Sequence, residues 1–216
     1  MATRSVSAFL ASAIVGVLLA TAAGAPAQAA KRQDTCFGEE PTHEGEPGET
    51  VLGTPGRDVI LGGGRVEADA GDDLVCDADY VLAGPGDDRT RMLDGGTARG
   101  NGGDDEFISL TTTSPTAVGP TLIGGPGADV FWGSPLGEKV YGGSGADVAR
   151  TGGGGDVIDL GSGDDLGYGG PGDDTFTAGS GDDFLDGGAQ TDVVAGGRGV
   201  DTCLDVETRT SCKRVR

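Results

Sequence analysis

From Gly124 to Leu204 the chain shows neither the alternation of a long strand nor the three-to-four spacing of a helix. Apolar residues return every nine positions instead. Phe131, Val140, Ile158, Phe176, Leu185 and Val194 hold one place in that series, and Ala149, Gly167 and Cys203 fill the remainder. Between them lie Gly, Asp and small polar residues, which interrupt both regular elements. The pattern predicts strands of two or three residues with one inward side chain each, separated by tight turns. A fixed period of this length is the mark of a solenoid, whose units bury their apolar faces only by stacking on one another.

Cut into nonapeptides from Gly124, the stretch reads GGPGADVFW, GSPLGEKVY, GGSGADVAR, TGGGGDVID, LGSGDDLGY, GGPGDDTFT, AGSGDDFLD, GGAQTDVVA and GGRGVDTCL. The second place is Gly in eight of nine blocks, Ser134 being the exception, and the fourth is Gly in seven, with Leu136 and Gln190 departing. The sixth place is acidic in all nine: Asp129, Glu138, Asp147, Asp156, Asp165, Asp174, Asp183, Asp192 and Asp201. Upstream, over 53–123, blocks of the same kind place Asp58, Asp73, Asp88 and Asp105 in the acidic position, at intervals of 15, 15, 17 and then 24 residues to Asp129. These irregular intervals predict shortened or elongated strand segments such as Arg65-Val66-Glu67 and Val81-Leu82-Ala83. The stretch Ser109 to Pro120 has no Asp or Gly-Gly and reads as a loop or bridge bulging from the array.

Glycine adopts positive φ at low steric cost, so a turn with Gly at places two and four can point its carbonyl oxygens inward. A carboxylate two places later adds a charged oxygen. Calcium, a hard cation, takes six to eight oxygens from carboxylates and backbone carbonyls. The turn therefore has the composition of a calcium site. Glu138 with Leu136, and Gln190 with Thr191, mark the two turns that depart most from it. Ala149 and Gly167 predict a core that is thin in its middle.

The blocks resemble the GGxGxDxUx repeat of the RTX, or haemolysin-type, calcium-binding family, closely over 124–204 and partially over 53–108. The resemblance implies an all-β, right-handed parallel β-roll with two short strands per 18-residue coil and calcium held between successive turns. Acidic residues 18 apart would then stack in two rows: Asp129, Asp147, Asp165, Asp183 and Asp201 in one, Glu138, Asp156, Asp174 and Asp192 in the other. That arrangement implies up to seven intercoil sites, with calcium as the cofactor. At a strand spacing of about 4.8 Å, neighbouring carboxylates repel by roughly 1 kcal/mol even in water. Seven sites with Kd of order 10⁻⁴–10⁻³ M would contribute roughly 3–10 kcal/mol at ~1 mM calcium. Metal therefore outweighs a marginal core, and binding is expected to be coupled to folding.

Composition and charge narrow the partners. A formal charge of −20 disfavours nucleic acid and anionic lipid and favours cations. Residues 1–29 combine Arg4, an apolar run from Ala8 to Ala23 and Ala27-Gln28-Ala29, the features of a secretory signal peptide, and no later run is long enough to span a membrane. The expected product is secreted and extracellular. Its other parts are a polar lead-in over 30–52, with Thr50–Leu52 as the first strand and His43 a solvated loop residue, and a C-terminal cap over 205–216. The four cysteines allow three pairings in an oxidising compartment, and proximity favours Cys36–Cys76 and Cys203–Cys212. The signal-bearing leader and the Asp-Thr-Cys…Glu-Thr-Arg…Cys ending resemble the short secreted bacterial members of the family.

The mature chain is used up by repeats and caps, and no convergent nucleophile, acid or base marks it as an enzyme. Trp132, Tyr141 and Tyr168 at place nine raise an alternative, a cell-surface adhesion module contacting a glycan. Self-association through the solenoid edges stays open.

Overall fold

The computed structural model describes residues 35–110 and 117–214. The leader over 1–29, the middle of the Ser109–Pro120 stretch and Arg216 lie outside the described residues. Those described form 21 strands and no helix, in parallel sheets of eleven and ten strands. Successive strands alternate between the sheets, and each pairs with the strand two before and two after it. Every coil thus lays one short strand in each sheet. The molecule is an all-strand parallel β-roll.

Inward side chains come from the middle of each strand. The larger sheet stacks Ile60, Val75, Thr90, Phe107, Phe131, Ala149, Gly167, Leu185 and Cys203 in register. The smaller stacks Val51, Val66, Val81, Ala98, Leu122, Val140, Ile158, Phe176 and Val194. Phe107 and Phe131 stack face to face at 5.0 Å. The core is not thin at Gly167. A methyl there would lie 2.8 Å from Cε1 of Phe176 and 3.0 Å from Cδ2 of Leu185, so the opposite sheet and the next coil fill the space. Place-one residues contribute too: Leu160, Ala178, Ala68 and Ala83 are fully buried in the same cluster.

The register explains the irregular spacing upstream. From Val51 to Cys203, passing from the smaller sheet to the larger takes nine residues, as from Val51 to Ile60, Val66 to Val75, Val81 to Thr90, Ala98 to Phe107 and Leu122 to Phe131. The return varies: six residues from Ile60 to Val66 and from Val75 to Val81, eight from Thr90 to Ala98, fifteen from Phe107 to Leu122, nine from Phe131 as far as Val194, and six from Cys203 to Arg209. The expected variation in strand length is thus only part of the cause. Strand lengths do vary, from three residues in Arg65–Glu67 to six in Tyr80–Pro85, but the turns along one side of the roll absorb most of the difference. Gly62 and Gly63, both at positive φ, make the shortest return.

Both ends are fastened. Disulfides join Cys36 to Cys76 and Cys203 to Cys212, with Cα separations of 5.6 and 5.7 Å. The first clamps Cys36 and Phe37 over the outward Val59, Leu61 and Leu74, making a second small apolar cluster. Beside it the Arg91 guanidinium grips Asp77 with two hydrogen bonds of 3.1 and 3.0 Å, both residues buried. Arg89 lies 4.3 Å over the Phe37 ring. The lead-in is corrected at His43, which is not a loop residue. It opens the strand His43–Gly45, and its Nδ1 lies 3.4 Å from Asp58 Oδ1. At the other end, Thr208–Thr210 and Cys212–Arg214 continue both sheets, so the terminal segment is itself strand-paired.

Candidate metal centre

The nine-residue passages bring Asp58, Asp73, Asp88, Asp105, Asp129, Asp147, Asp165, Asp183 and Asp201 into a single row down one side of the roll. The expected five-residue row is thus only its C-terminal part. The members are tied head to tail: each backbone N–H donates to Oδ1 of the next. The distances run 2.7 Å from Asp58 to Asp73, 2.9 Å from Asp105 to Asp129, 2.8 Å from Asp147 to Asp165 and 3.2 Å from Asp183 to Asp201. On the other side Glu138, Asp156, Asp174 and Asp192 form a shorter row with the same bonds at 2.8, 2.8 and 2.9 Å. Glu207, missed in the sequence because it stands 15 residues beyond Asp192, accepts from the Asp192 N–H at 2.7 Å and ends that row.

Each carboxylate after the first in its row spends one oxygen on this ladder, and Glu138, which opens the shorter row, spends one on the Ser109 and Ser134 hydroxyls. The other is buried and has no hydrogen-bond partner in Asp73, Asp88, Asp105, Asp129, Asp147, Asp165, Asp183, Asp201, Glu138, Asp156, Asp174 and Asp192. A buried anionic oxygen without a partner costs several kcal/mol, so a dozen in one small roll is far outside ordinary protein construction. Asp58 differs. Its Oδ2 accepts from the Thr54 N–H at 2.6 Å and the Thr54 hydroxyl at 3.0 Å, and the row is closed there by protein.

The turns supply the rest of the surroundings. Gly143 and Gly145 have φ of 122° and 133°, and a methyl on either would strike the carbonyl oxygen of Gly125 or Gly127 in the preceding coil. Glycine is thus required by conformation and by close approach together. Asp69 and Asn101 take the same left-handed place upstream, residue types that tolerate it, and Gln190 does so at φ 95°. Ser134 and Leu136 do not, so the turn at Glu138 is built differently. The longer Glu138 side chain reaches back to the Ser134 hydroxyl and to Ser109 Oγ at 3.1 Å.

At place one, glycine leaves a cradle facing the free oxygen. A methyl at Gly142 would sit 2.3 Å from Asp147 Oδ2 and 2.5 Å from the Leu160 carbonyl oxygen, and at Gly169 it would sit 2.2 Å from Asp174 Oδ2 and 2.7 Å from the Gly187 carbonyl. Gly124 with Asp129 and Gly100 with Asp105 repeat the arrangement. Among the described residues no three His, Cys, Asp or Glu side chains converge on a point. The donor set is therefore carboxylate plus backbone carbonyl, all hard oxygen, which fits calcium and not a soft metal.

Burial is the main cause of the titration behaviour, with neighbouring carboxylates adding to it. It pushes Asp88 up to about 8, Asp105 and Asp165 to about 7, and Asp73, Asp129, Asp147, Asp156 and Asp174 to about 6. Glu138, Asp183 and Asp192 are raised for the same reason. A second, exposed set of aspartates at place five runs the opposite way. Asp72, Asp87, Asp104, Asp164, Asp173 and Asp182 each accept, through Oδ1, an N–H from the following coil, at 2.7–3.1 Å. The paired Asp-Asp of these turns is thus one buried and one exposed strut, a division that sequence alone does not separate.

The fold and this site define a stacked-turn solenoid whose repeats present hard-oxygen donors in rows. Residues 121–135, 137–167 and 168–203 match the RTX calcium-binding nonapeptide repeat in four copies. No curated protein matches the chain. The turns at Asp73, Asp88 and Asp105 lie outside the matched residues yet share the ladder and the positive-φ places.

Of the three place-nine aromatics, Trp132 and Tyr168 lie in one outward row of the larger sheet, and Tyr141 lies in the other sheet. Arg150 sits between the first two, with its guanidinium 5.4 Å from the Trp132 ring and 4.6 Å from that of Tyr168.

Proposed function

We propose that this chain is a secreted calcium-binding protein that takes up calcium along both carboxylate rows and is folded by it. The residues assigned to the metal are Asp73, Asp88, Asp105, Asp129, Asp147, Asp165, Asp183 and Asp201 on one side and Glu138, Asp156, Asp174 and Asp192 on the other. Asp58 serves as the closed end. The observation that carries the reading is the set of buried carboxylate oxygens without partners. Calcium would give them a counter-charge and draw on the carbonyl oxygens beside them. Two disulfides and the signal-like leader support an oxidising, extracellular setting. No catalytic role is assigned. Adhesion through a glycan-stacking ladder is not adopted, because Arg150 occupies the facing sides of Trp132 and Tyr168.

The test is far-ultraviolet circular dichroism of protein stripped with EDTA and then titrated with calcium. A coil spectrum that turns to β on calcium addition is expected. A full β spectrum indifferent to both reagents contradicts the proposal.

A further inference from the structure

We infer a terminal calcium site that lies outside the nonapeptide register, formed by Asp192, Glu207 and the backbone carbonyl of Asp205. The inference rests on the calcium reading above. Asp192 is fully buried, its Oδ1 accepts from the Asp174 N–H at 2.9 Å, and its Oδ2 has no partner. A methyl at Gly187 would lie 2.6 Å from that Oδ2 and 2.5 Å from the Asp205 carbonyl oxygen. This is the same cradle as at Gly169, where Asp174 Oδ2 and the Gly187 carbonyl stand at 2.2 and 2.7 Å. Asp205 therefore takes the part of the repeat glycine, and Glu207, accepting the Asp192 N–H at 2.7 Å, takes the part of the next aspartate.

The chain reaches this arrangement by a shorter route. A coil of 15 residues, from Asp192 to Glu207, replaces one of 18. One methylene more on the glutamate keeps a carboxylate at the end of the row. Asp205 and Glu207 lie inside the loop closed by Cys203–Cys212, so the disulfide fixes the segment that supplies two of the three donors. Metal at this point would bind the last strands to the roll, where a solenoid otherwise frays.

The experiment compares full-length wild type with Glu207→Gln, which keeps an acceptor oxygen for the Asp192 N–H and removes the charge. Bound calcium is counted by equilibrium dialysis, and the rate at which dithiothreitol reduces Cys203–Cys212 is followed by mass spectrometry with and without 10 mM calcium. Wild type is expected to slow reduction about tenfold or more in calcium, the factor 1 + [Ca]/Kd for Kd at or below about 10⁻³ M. Glu207→Gln is expected to bind one equivalent fewer and lose most of that protection while keeping its β spectrum. Gly187→Ala, which fills the cradle and leaves both carboxylates in place, is expected to lose the same equivalent. Unchanged stoichiometry and protection in both variants, with several calcium ions bound by wild type, overturns the terminal site alone. Wild type that binds no calcium overturns the broader reading and this site with it.

Discussion

Replacing Asp147 by Asn should change stability in opposite directions with and without calcium. Asp147 is fully buried, its Oδ1 accepts from the Asp129 N–H at 2.8 Å, and its Oδ2 faces the Leu160 carbonyl across the Gly142 cradle. Burial raises its pKa from 3.8 to about 6. Two units at 1.36 kcal/mol each set a ceiling of about 3 kcal/mol on the cost of keeping it ionised at pH 8. Asn retains the acceptor and places an amide donor where Oδ2 had met a carbonyl oxygen. The metal-free fold should gain about 1–2 kcal/mol once the weaker neutral hydrogen bond is subtracted. In 10 mM calcium the sign reverses. The side chain borders two intercoil gaps, each worth about 1.4–2.7 kcal/mol for Kd of 10⁻⁴–10⁻³ M, so once the metal-free gain is set against their loss the variant should be destabilised by about 1–4 kcal/mol. The assay is a trimethylamine-N-oxide folding titration in EDTA, which works even where the wild type starts as a coil, beside a urea melt in calcium. Destabilisation of similar size in both conditions would refute the reasoning, because it would make Asp147 a structural strut and not a ligand.

Other expectations follow from the same geometry. Gly167→Val drives its side chain into Phe176 and Leu185 and should cost about 1–3 kcal/mol equally in EDTA and calcium, measured by urea midpoint. Gln190→Gly relieves a left-handed residue at φ 95° and should stabilise the protein by about 1 kcal/mol in the same melt. The pH response is fixed by the raised carboxylates. The folded state holds their protons more tightly than the unfolded chain, so metal-free stability is present at acid pH and is lost as pH rises from about 4 through 6–8. Thermal melts in EDTA should show the midpoint falling across that window. In excess calcium the trend should invert, since protons then compete with the metal.

The regular half of the roll was legible because Gly, Asp and one apolar residue recur without insertion, and stacking follows directly from an 18-residue coil. The upstream half hid its continuity. Asp58, Asp73, Asp88 and Asp105 belong to the same row as Asp129, but the return turns of six, eight and fifteen residues disguise a constant nine-residue passage. Asp69 and Asn101, standing in for glycine at positive φ, obscured the motif further. Core filling was misjudged at Gly167 because a place-by-place reading counts only a strand's own side chains. It omits Phe176 reaching across from the other sheet and the buried place-one residue Leu160. Glu207 escaped because its row closes with a shortened coil, which no fixed period anticipates.

The central claim is that the buried carboxylate rows are calcium sites. Calorimetric titration of EDTA-stripped protein with calcium, and in parallel with magnesium, tests it most directly. Several equivalents of calcium should bind with concurrent gain of β structure, with little response to magnesium, which holds its water and demands a stricter geometry. A flat calcium titration on a chain already fully folded would contradict it.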